Sequence, residues 1–398
     1  MNDTATPTNI YPLILLGGGH SHALWLKYWQ QLANTHSVKK IRPLLVSENT
    51  TSPYSGMLPG LLSGEYDYDD CHIDLSSLCQ QSDCDFLQKT CINIKKIENP
   101  DFNTLYRLDF AKSSTEEPDS IFCKTLSINI GSQPFSLAAD SNQYGTSASD
   151  QTHWKIKPIS QFFQHWQSLQ SALKNTNSRK VEINNRHITK KTTISIVGAG
   201  AAGVEIACAI KLAQQNCQVQ ILSRSPQPLP SFQPKIQQLC LQRLNKMEID
   251  FMGPKSATRI DSDFTILCTQ SAAPKWLTNT DLKLSEEGFV WVDKNLQSSL
   301  SGIFAAGDCI YFSPQPLPKA GVYAVRQAKT LFHNICAQLD ASRLEPFIPQ
   351  SKFLSIINMG NDYALAQRGR WLMHGYWPWY YKRYVDKKFM SQFKSTGH

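Results

Sequence analysis

Short apolar runs ending in glycine, each followed by apolar residues at helical spacing, occur twice in this chain. Residues 11–16 form the first run and residues 21–32 the helical stretch behind it. A second strand over residues 42–47 completes a βαβ unit. The plan returns at residue 194, with a helix over about 202–214 and a strand over 218–223. Between the two units, residues 82–97 and 104–130 predict a group of strands, with the polar stretch 112–120 as a hairpin loop. Residues 136–152 are small, polar and aperiodic, which predicts a surface loop. Residues 159–173 carry apolar positions at helical spacing, and the polar, basic stretch 175–193 predicts an exposed excursion. Further strands are expected at 264–268, 289–292 and 303–306, a helix at 319–329, and hairpin strands from residue 353 before an aromatic, basic tail.

The glycines carry the chemistry. Gly17, Gly18 and Gly19 let the backbone approach a pyrophosphate resting on the N-terminus of the next helix, beside His20 and Ser21. The usual third glycine of such a loop is replaced by His22, so helix and strand either pack less closely there or tolerate an imidazole. The acidic residue that reads a ribose is expected where the second strand ends, and Glu48 is the candidate. The middle loop is complete: Gly198, Gly200, Ala201 and Gly203, with Glu205 on the helix, form an NAD(P)H cradle. Its strand ends in Ser223-Arg224, where an arginine can meet a 2′-phosphate or simply be solvated. NADH and NADPH both stay open. Downstream, Gly307-Asp308 closes an apolar strand with a carboxylate suited to a ribityl or ribose hydroxyl, and Ile128 to Ser132, with Gly131, forms a domain crossing. The helix after Lys319, opened by Ala320 and Gly321, would turn its positive end to a flavin. Two cradles plus the late Gly-Asp point to FAD and a nicotinamide held together.

Composition narrows the setting. Hydrophobic residues make up 41% of the chain and charged residues 18%, as in ordinary globular proteins. No apolar run reaches the ~18 residues of a membrane-spanning helix, and the polar N-terminus lacks a secretory pattern. Eleven cysteines, an odd number, predict reduced thiols in the cytoplasm. The net charge of +8 is too diffuse to argue for nucleic acid. His20, His22 and Cys71-His72 lack the further ligands a metal needs.

With these motifs in place, the chain resembles the pyridine nucleotide-disulfide oxidoreductase superfamily, and within it the type II NADH:quinone dehydrogenases. Gly17 to His22, Pro53 to Gly60, His72 to Leu75, Lys319 to Gln327 and Asp386 to Met390 also resemble the flavoprotein module fused to selenide, water dikinase in some bacteria. The resemblance covers nearly the whole chain. It implies an α/β fold with two Rossmann-like dinucleotide-binding domains and a small C-terminal α+β region. The FAD domain would take residues 1–150 and 293–345, the inserted NAD(P)H domain 151–292, and the C-terminal region 346–398. It further implies hydride transfer from nicotinamide to flavin and electron delivery to a small acceptor. Pro53, Tyr54, Ser55, Gly56 and Met57 would line the flavin, Glu205 would face the nicotinamide, and Lys319 would stand at the helix beneath the ring. Tyr54, Glu205 and Lys319 are the catalytic candidates.

Two departures bear on the acceptor. No redox cysteine pair stands near the first helix, and Cys79 and Cys84 read as structural thiols. Val322 and Arg326 occupy positions where the quinone reductases carry glutamine. A quinone-like acceptor leads, followed by a selenium or sulfur compound or partner protein, and then by a flavin-binding sensor without turnover. In the tail, Trp371, Trp377, Trp379, Tyr380, Tyr381 and Tyr384 interleave with Lys382, Arg383, Lys387, Lys388 and Lys394. On a helical wheel Trp377, Tyr380, Tyr381 and Tyr384 share one face, while Phe389, Met390 and Phe393 fall opposite. Such a tail suits the inner membrane surface, packing on the flavin domain, or a homodimer contact.

Overall fold

The computed structural model describes residues 10–32, 41–99, 103–112, 118–134, 153–156, 159–175, 179–183, 186–254, 262–269 and 271–394. The loop expected over 136–152 lies outside them. The first sheet orders its strands Asp85–Gln88, Leu44–Ser47, Ile10–Leu16, Ser120–Ile128, Asn103–Phe110 and Cys91–Asn99. Leu44–Ser47 is buried at every position, as are Leu13 to Leu16, the pattern of parallel strands covered on both faces.

Strand Ser120–Ile128 changes partners along one edge. Its start pairs antiparallel with Asn103–Phe110, whereas Leu126, Ser127 and Ile128 pair parallel with Ile303, Phe304 and Ala305. That switch brings a segment from far along the chain beside the first glycine loop. The helices His20–Gln31 and Gly321–Leu339 pack together over this sheet, with Trp25 and Trp29 stacked at 5.0 Å and Phe332 edge-on to Trp25 at 5.5 Å. The second of these helices begins later and runs further than the 319–329 expected. Ala320 stays extended at φ −142° and caps it, which leaves Lys319 outside.

The inserted domain is a parallel sheet ordered His153–Lys155, Phe264–Leu267, Thr193–Val197, Gln218–Leu222 and Ile249–Met252. Helices Ala201–Ala213 and Pro234–Lys246 follow the second and third chain-order strands of this sheet. Within the stretch expected as an exposed excursion, Arg179–Ile183 and Arg186–Lys190 pair as an antiparallel hairpin. The period-two alternation of Val181 and Ile183 against charged neighbours suits a strand, and the polar composition hid it.

The last segment straps both domains together. Strands Ser355–Asn358, Ala364–Arg368 and Trp371–Gly375 form an antiparallel sheet ending in the helix Tyr376–Ser391. The hairpin holds the inserted domain: Gln233 Nε2 donates to the Gly369 carbonyl at 2.6 Å and an Arg243 guanidinium nitrogen to the Gly360 carbonyl at 2.9 Å. The helix holds the first domain through an Arg383–Glu65 ion pair, and the residues just past its end add a Lys394–Asp70 pair at 2.7 Å.

Candidate functional site

A cavity of about 330 Å³ opens at the C-terminal edge of the first sheet. Gly17, Gly18, Gly19, His20, Glu48, Pro53, Ser55, Gly131, Gly307, Asp308 and Gly321 all line it. Three separate motifs of the sequence thus converge on one space. The glycines are needed for steric reasons. A Cβ on Gly17 would stand 2.5 Å from the Asn129 carbonyl oxygen, and one on Gly19 would stand 2.2 Å from Asn129 Oδ1. Gly17 also sits at φ +97° and Gly307 at φ +81°, where side chains are strained.

Asn129 is the hub that the sequence did not reveal. Its Oδ1 accepts the backbone N–H of Ser21 at 3.1 Å and of His22 at 3.4 Å, capping the first helix. Its Nδ2 donates to the Ala306 carbonyl at 2.7 Å, one residue before Gly307. Gly307 N–H in turn donates to Gln327 Oε1 at 2.7 Å. Asp308 Oδ2 accepts from Ser132 Oγ at 3.4 Å. Lys89, buried to 5% exposure, Asn49 and Trp276 also line the cavity and carry no signature in sequence.

His22 resolves the irregular loop. The imidazole is tolerated rather than avoided: Nδ1 lies 2.7 Å from the Gly17 carbonyl and Nε2 2.8 Å from Ser127 Oγ. The ring thereby joins loop, helix and central strand where a third glycine ordinarily permits close approach. Ser21, fully buried, donates to the Ala324 carbonyl at 2.7 Å and joins the two helices. Both therefore support the cavity from behind. Burial pushes His22 down to about 4, outweighing the Gly17 hydrogen bond. The unfolded ring titrates near 6.5, so between these values the unfolded chain binds a proton that the folded one refuses. This contribution is complete above about pH 6.5 and lost as pH falls toward 4. Thermal unfolding followed between roughly pH 7 and pH 5 should show a midpoint that falls with acid, and less steeply in His22→Gln. Equal slopes for the two proteins would remove His22 as the cause.

The other flavin-side candidates separate. Met57 is in the core at 1% exposure, and the Gly56 carbonyl accepts Lys382 Nζ at 2.7 Å. Tyr54 stacks on Phe389 at 4.7 Å and donates to Asp386 Oδ1 at 3.2 Å. Burial first, then the Asp386 charge, pushes the Tyr54 phenol well above its ordinary range. Lys382 and Asp386 pair at 2.8 Å, with side chains 12% and 6% exposed. Burial works against the Lys382 charge, but Asp386 and Glu205 outweigh it and hold the amine protonated. Lys319 is placed differently from expectation. Its ammonium bonds the Ile310 carbonyl and lies 3.7 Å from the Phe289 ring centroid. Ala320 is the extended cap beside it.

On the inserted domain, the Gly198, Gly200 and Gly203 loop leads into the helix that starts at Ala201. A Cβ on Gly203 would fall 1.9 Å from the Gly198 carbonyl oxygen, whereas one on Gly200 would meet open space, room of the kind a pyrophosphate needs. Glu205 Oε1 accepts the Asn358 N–H at 2.8 Å. Burial raises Glu205 to about 7, against the opposing Lys382 charge. Cys79 and Cys84 are both buried and their thiols meet within hydrogen-bonding reach; all eleven cysteines are unbridged.

Fold and cavity together define a two-dinucleotide flavoprotein oxidoreductase. The chain belongs to the pyridine nucleotide-disulphide oxidoreductase family, whose pattern matches residues 16–328, and its cofactors are FAD and NAD(P)H. Its structure is similar to the sulfide:quinone oxidoreductase of Aquifex aeolicus, with a TM-score of 0.70 and 15% identity over 96% of this chain and 91% of that one. It is also similar to NDH2 of Plasmodium falciparum solved in complex with NADH, with a TM-score of 0.69 and 13% identity over 96% of this chain and 98% of that one. In sequence it is 24% identical to Ferroptosis suppressor protein 1 of Taeniopygia guttata over 208 residues, 46% of this chain and 55% of that protein. The chain thus spans about half the length of this curated relative.

Proposed function

We propose that the chain oxidises NAD(P)H through FAD and delivers the electrons to a quinone-like acceptor at a membrane surface. One observation carries this reading: the C-terminal helix fixes the Tyr54-to-Met57 segment on one side while its aromatic face stays in solvent on the other. Trp377 is 70% exposed, Tyr384 54% and Tyr380 52%, and Trp371 on the adjoining strand 50%. Such a face marks an interaction site. Residues 368–394 hold seven Lys and Arg and one Asp, a net of +6 against +8 for the whole chain, which favours an anionic lipid surface. Beside that face, a groove of about 660 Å³ is walled by Ile356, Met373, Trp371, Trp377 and Tyr381 with Arg368 at its rim, a fit for an apolar ring or tail. Among the described residues no helix is long and apolar enough to cross a membrane, so contact would be peripheral.

Bound FAD would take the hydride of NAD(P)H and release electrons to the acceptor. The chain's own contribution is orientation and one proton. The glycine loops and Asn129 set the dinucleotides, Lys382 holds the Gly56 carbonyl, and the Gly321–Leu339 helix turns its N-terminus to the cavity. Reducing a quinone consumes one proton beyond the hydride. Glu205, titrating near neutrality beside Lys382, is suited to supply it. Among the described residues of the cavity wall stands one cysteine, Cys91, whose thiol burial pushes up to about 12. That disfavours electron relay through a thiol pair to sulfur or selenium compounds.

Anaerobic mixing with NADH or NADPH should bleach the flavin, and a soluble short-chain quinone should restore it. Glu205→Gln should leave bleaching within several-fold, slow quinone turnover ~10- to 100-fold, and abolish the fall in turnover as pH rises through about 7. Flavin that neither nicotinamide bleaches would overturn the dehydrogenase reading. Reduced flavin that quinone reoxidises no faster than oxygen does would overturn the acceptor.

A further inference from the structure

We infer that the nicotinamide donor is NADPH, selected by Arg224 through the 2′-phosphate. The inference rests on the inserted domain being the nicotinamide site. The loop that carries Arg224 is tied at both ends to the glycine-rich cradle. Gly198 N–H donates to the Leu222 carbonyl at 2.9 Å, and Leu229 N–H donates to the Ala199 carbonyl at 2.8 Å. Residues 223–228 therefore lie beside the dinucleotide loop whatever their own flexibility. Within them Ser223 is buried and its Oγ accepts the Ser225 N–H at 3.0 Å, which shapes the turn. Arg224 is exposed, and among the described residues no carboxylate forms an ion pair with it.

An NADH site places a carboxylate at this strand end to accept the two ribose hydroxyls, and the same carboxylate repels a 2′-phosphate. Among the described residues, the carboxylates of the sheet strands and their leads are committed elsewhere. Asp250 accepts from Gln218 Nε2 at 3.1 Å, and Asp263 accepts the Thr193 N–H at 2.9 Å. Gln218 and Thr193 begin their strands, so both acids lie at the edge opposite Gly198 and Ser223. Glu205 is nearer the cradle but is held by the Asn358 N–H. Among the described residues, the ribose-reading edge thus presents an exposed guanidinium and a serine turn, with no carboxylate paired to that guanidinium. A guanidinium offers paired donors matched to phosphate oxygens, the stronger class of hydrogen bond.

The test uses the FAD-loaded protein. Calorimetric titration should show 2′,5′-ADP binding roughly 10- to 100-fold more tightly than 5′-AMP, the range of a charge-assisted phosphate contact. The ratio of kcat/KM for NADPH to that for NADH should exceed ~10 and collapse toward one in Arg224→Ala. Arg224→Glu should invert it. Arg224 is exposed, so flavin content and Tm should show both variants folded. Equal affinity for the two nucleotides, an NADH preference in the unaltered protein, or a ratio unmoved in Arg224→Ala would each overturn the inference. Binding of 2′,5′-ADP that Arg224→Ala weakens, without bleaching by either nicotinamide, would support the 2′-phosphate site at Arg224 and refute the dehydrogenase reading, so the two failures are distinct.

Discussion

Gly19→Ala should yield protein that purifies with almost no flavin. The added methyl would sit 2.2 Å from Asn129 Oδ1 and 2.7 Å from its backbone oxygen, and a backbone oxygen cannot rotate away. Moving Asn129 is costly because its side chain serves both halves of the site. Oδ1 holds the amides of Ser21 and His22, and Nδ2 holds the Ala306 carbonyl that precedes Gly307 and Asp308. Overpacking of this kind costs ~1–3 kcal/mol, and each strained hydrogen bond adds about 1. A total near 3 kcal/mol weakens FAD roughly 100-fold. Gly200→Ala is the matched control. Its methyl meets open space in the other cradle, so it should keep its flavin while losing reduction by NAD(P)H. Flavin-to-protein ratio after gel filtration and FAD titration of the apoprotein measure both variants. A Gly19→Ala protein with full flavin and unchanged affinity would show that the loop can relax around the methyl.

The two cradles were legible because a glycine requirement is local: Gly17, Gly19, Gly198 and Gly203 announce a tight backbone within a few residues of sequence. What surrounds them was legible only in part. His22 stood out as a departure, yet its meaning depended on Ser127, 105 positions away. Asn129 gave no signal, since its partners lie 108 and 177 positions distant and one asparagine after a strand predicts nothing. Glu205 was expected at the nicotinamide from its motif. Its rise to about 7, however, comes from burial in the folded chain, against the lowering influence of Lys382 and of the Asn358 N–H, 153 positions on, and the motif announces none of these. Lys319 shows the converse limit. Its position in a long motif suggested a flavin contact, but the chain stays extended until Gly321, and the amine finds the Ile310 carbonyl and the Phe289 ring. The tail's wheel was read correctly in outline, with Trp377, Tyr380, Tyr381 and Tyr384 outward and Met390 inward. Trp379 is only half-exposed, with the Arg383 guanidinium carbon 4.7 Å from its ring centroid.

Asp386→Ala should be the most destabilising substitution in the C-terminal helix. Asp386 is 4% exposed and accepts from Lys382 at 2.8 Å and from Tyr54 at 3.2 Å. Without the carboxylate, the Lys382 ammonium remains nearly buried, bonded to the Gly56 carbonyl and with only the more distant charges of Glu205 and Glu65 to offset it. Breaking one side of such a pair costs ~3–5 kcal/mol, because a poorly compensated charge stays behind. The amine would respond by losing its proton or by withdrawing toward water, and either response frees the Tyr54-to-Met57 segment. Asp386→Asn should lose less, since an amide oxygen still accepts the Tyr54 hydroxyl. The informative variant is the double one, Lys382→Met with Asp386→Leu. Replacing both charges by apolar groups of similar volume is near neutral for stability, so its Tm should return most of the way to that of the parent protein. Its Gly56 carbonyl would still lack a donor and its Tyr54 hydroxyl an acceptor. Flavin reduction and reoxidation should therefore stay slow in a protein that is again stable, separating the helix's part in holding the fold from its part in setting the flavin-facing segment. An Asp386→Ala protein within ~0.5 kcal/mol of the parent would show the pair to be hydrated and the segment held by packing alone.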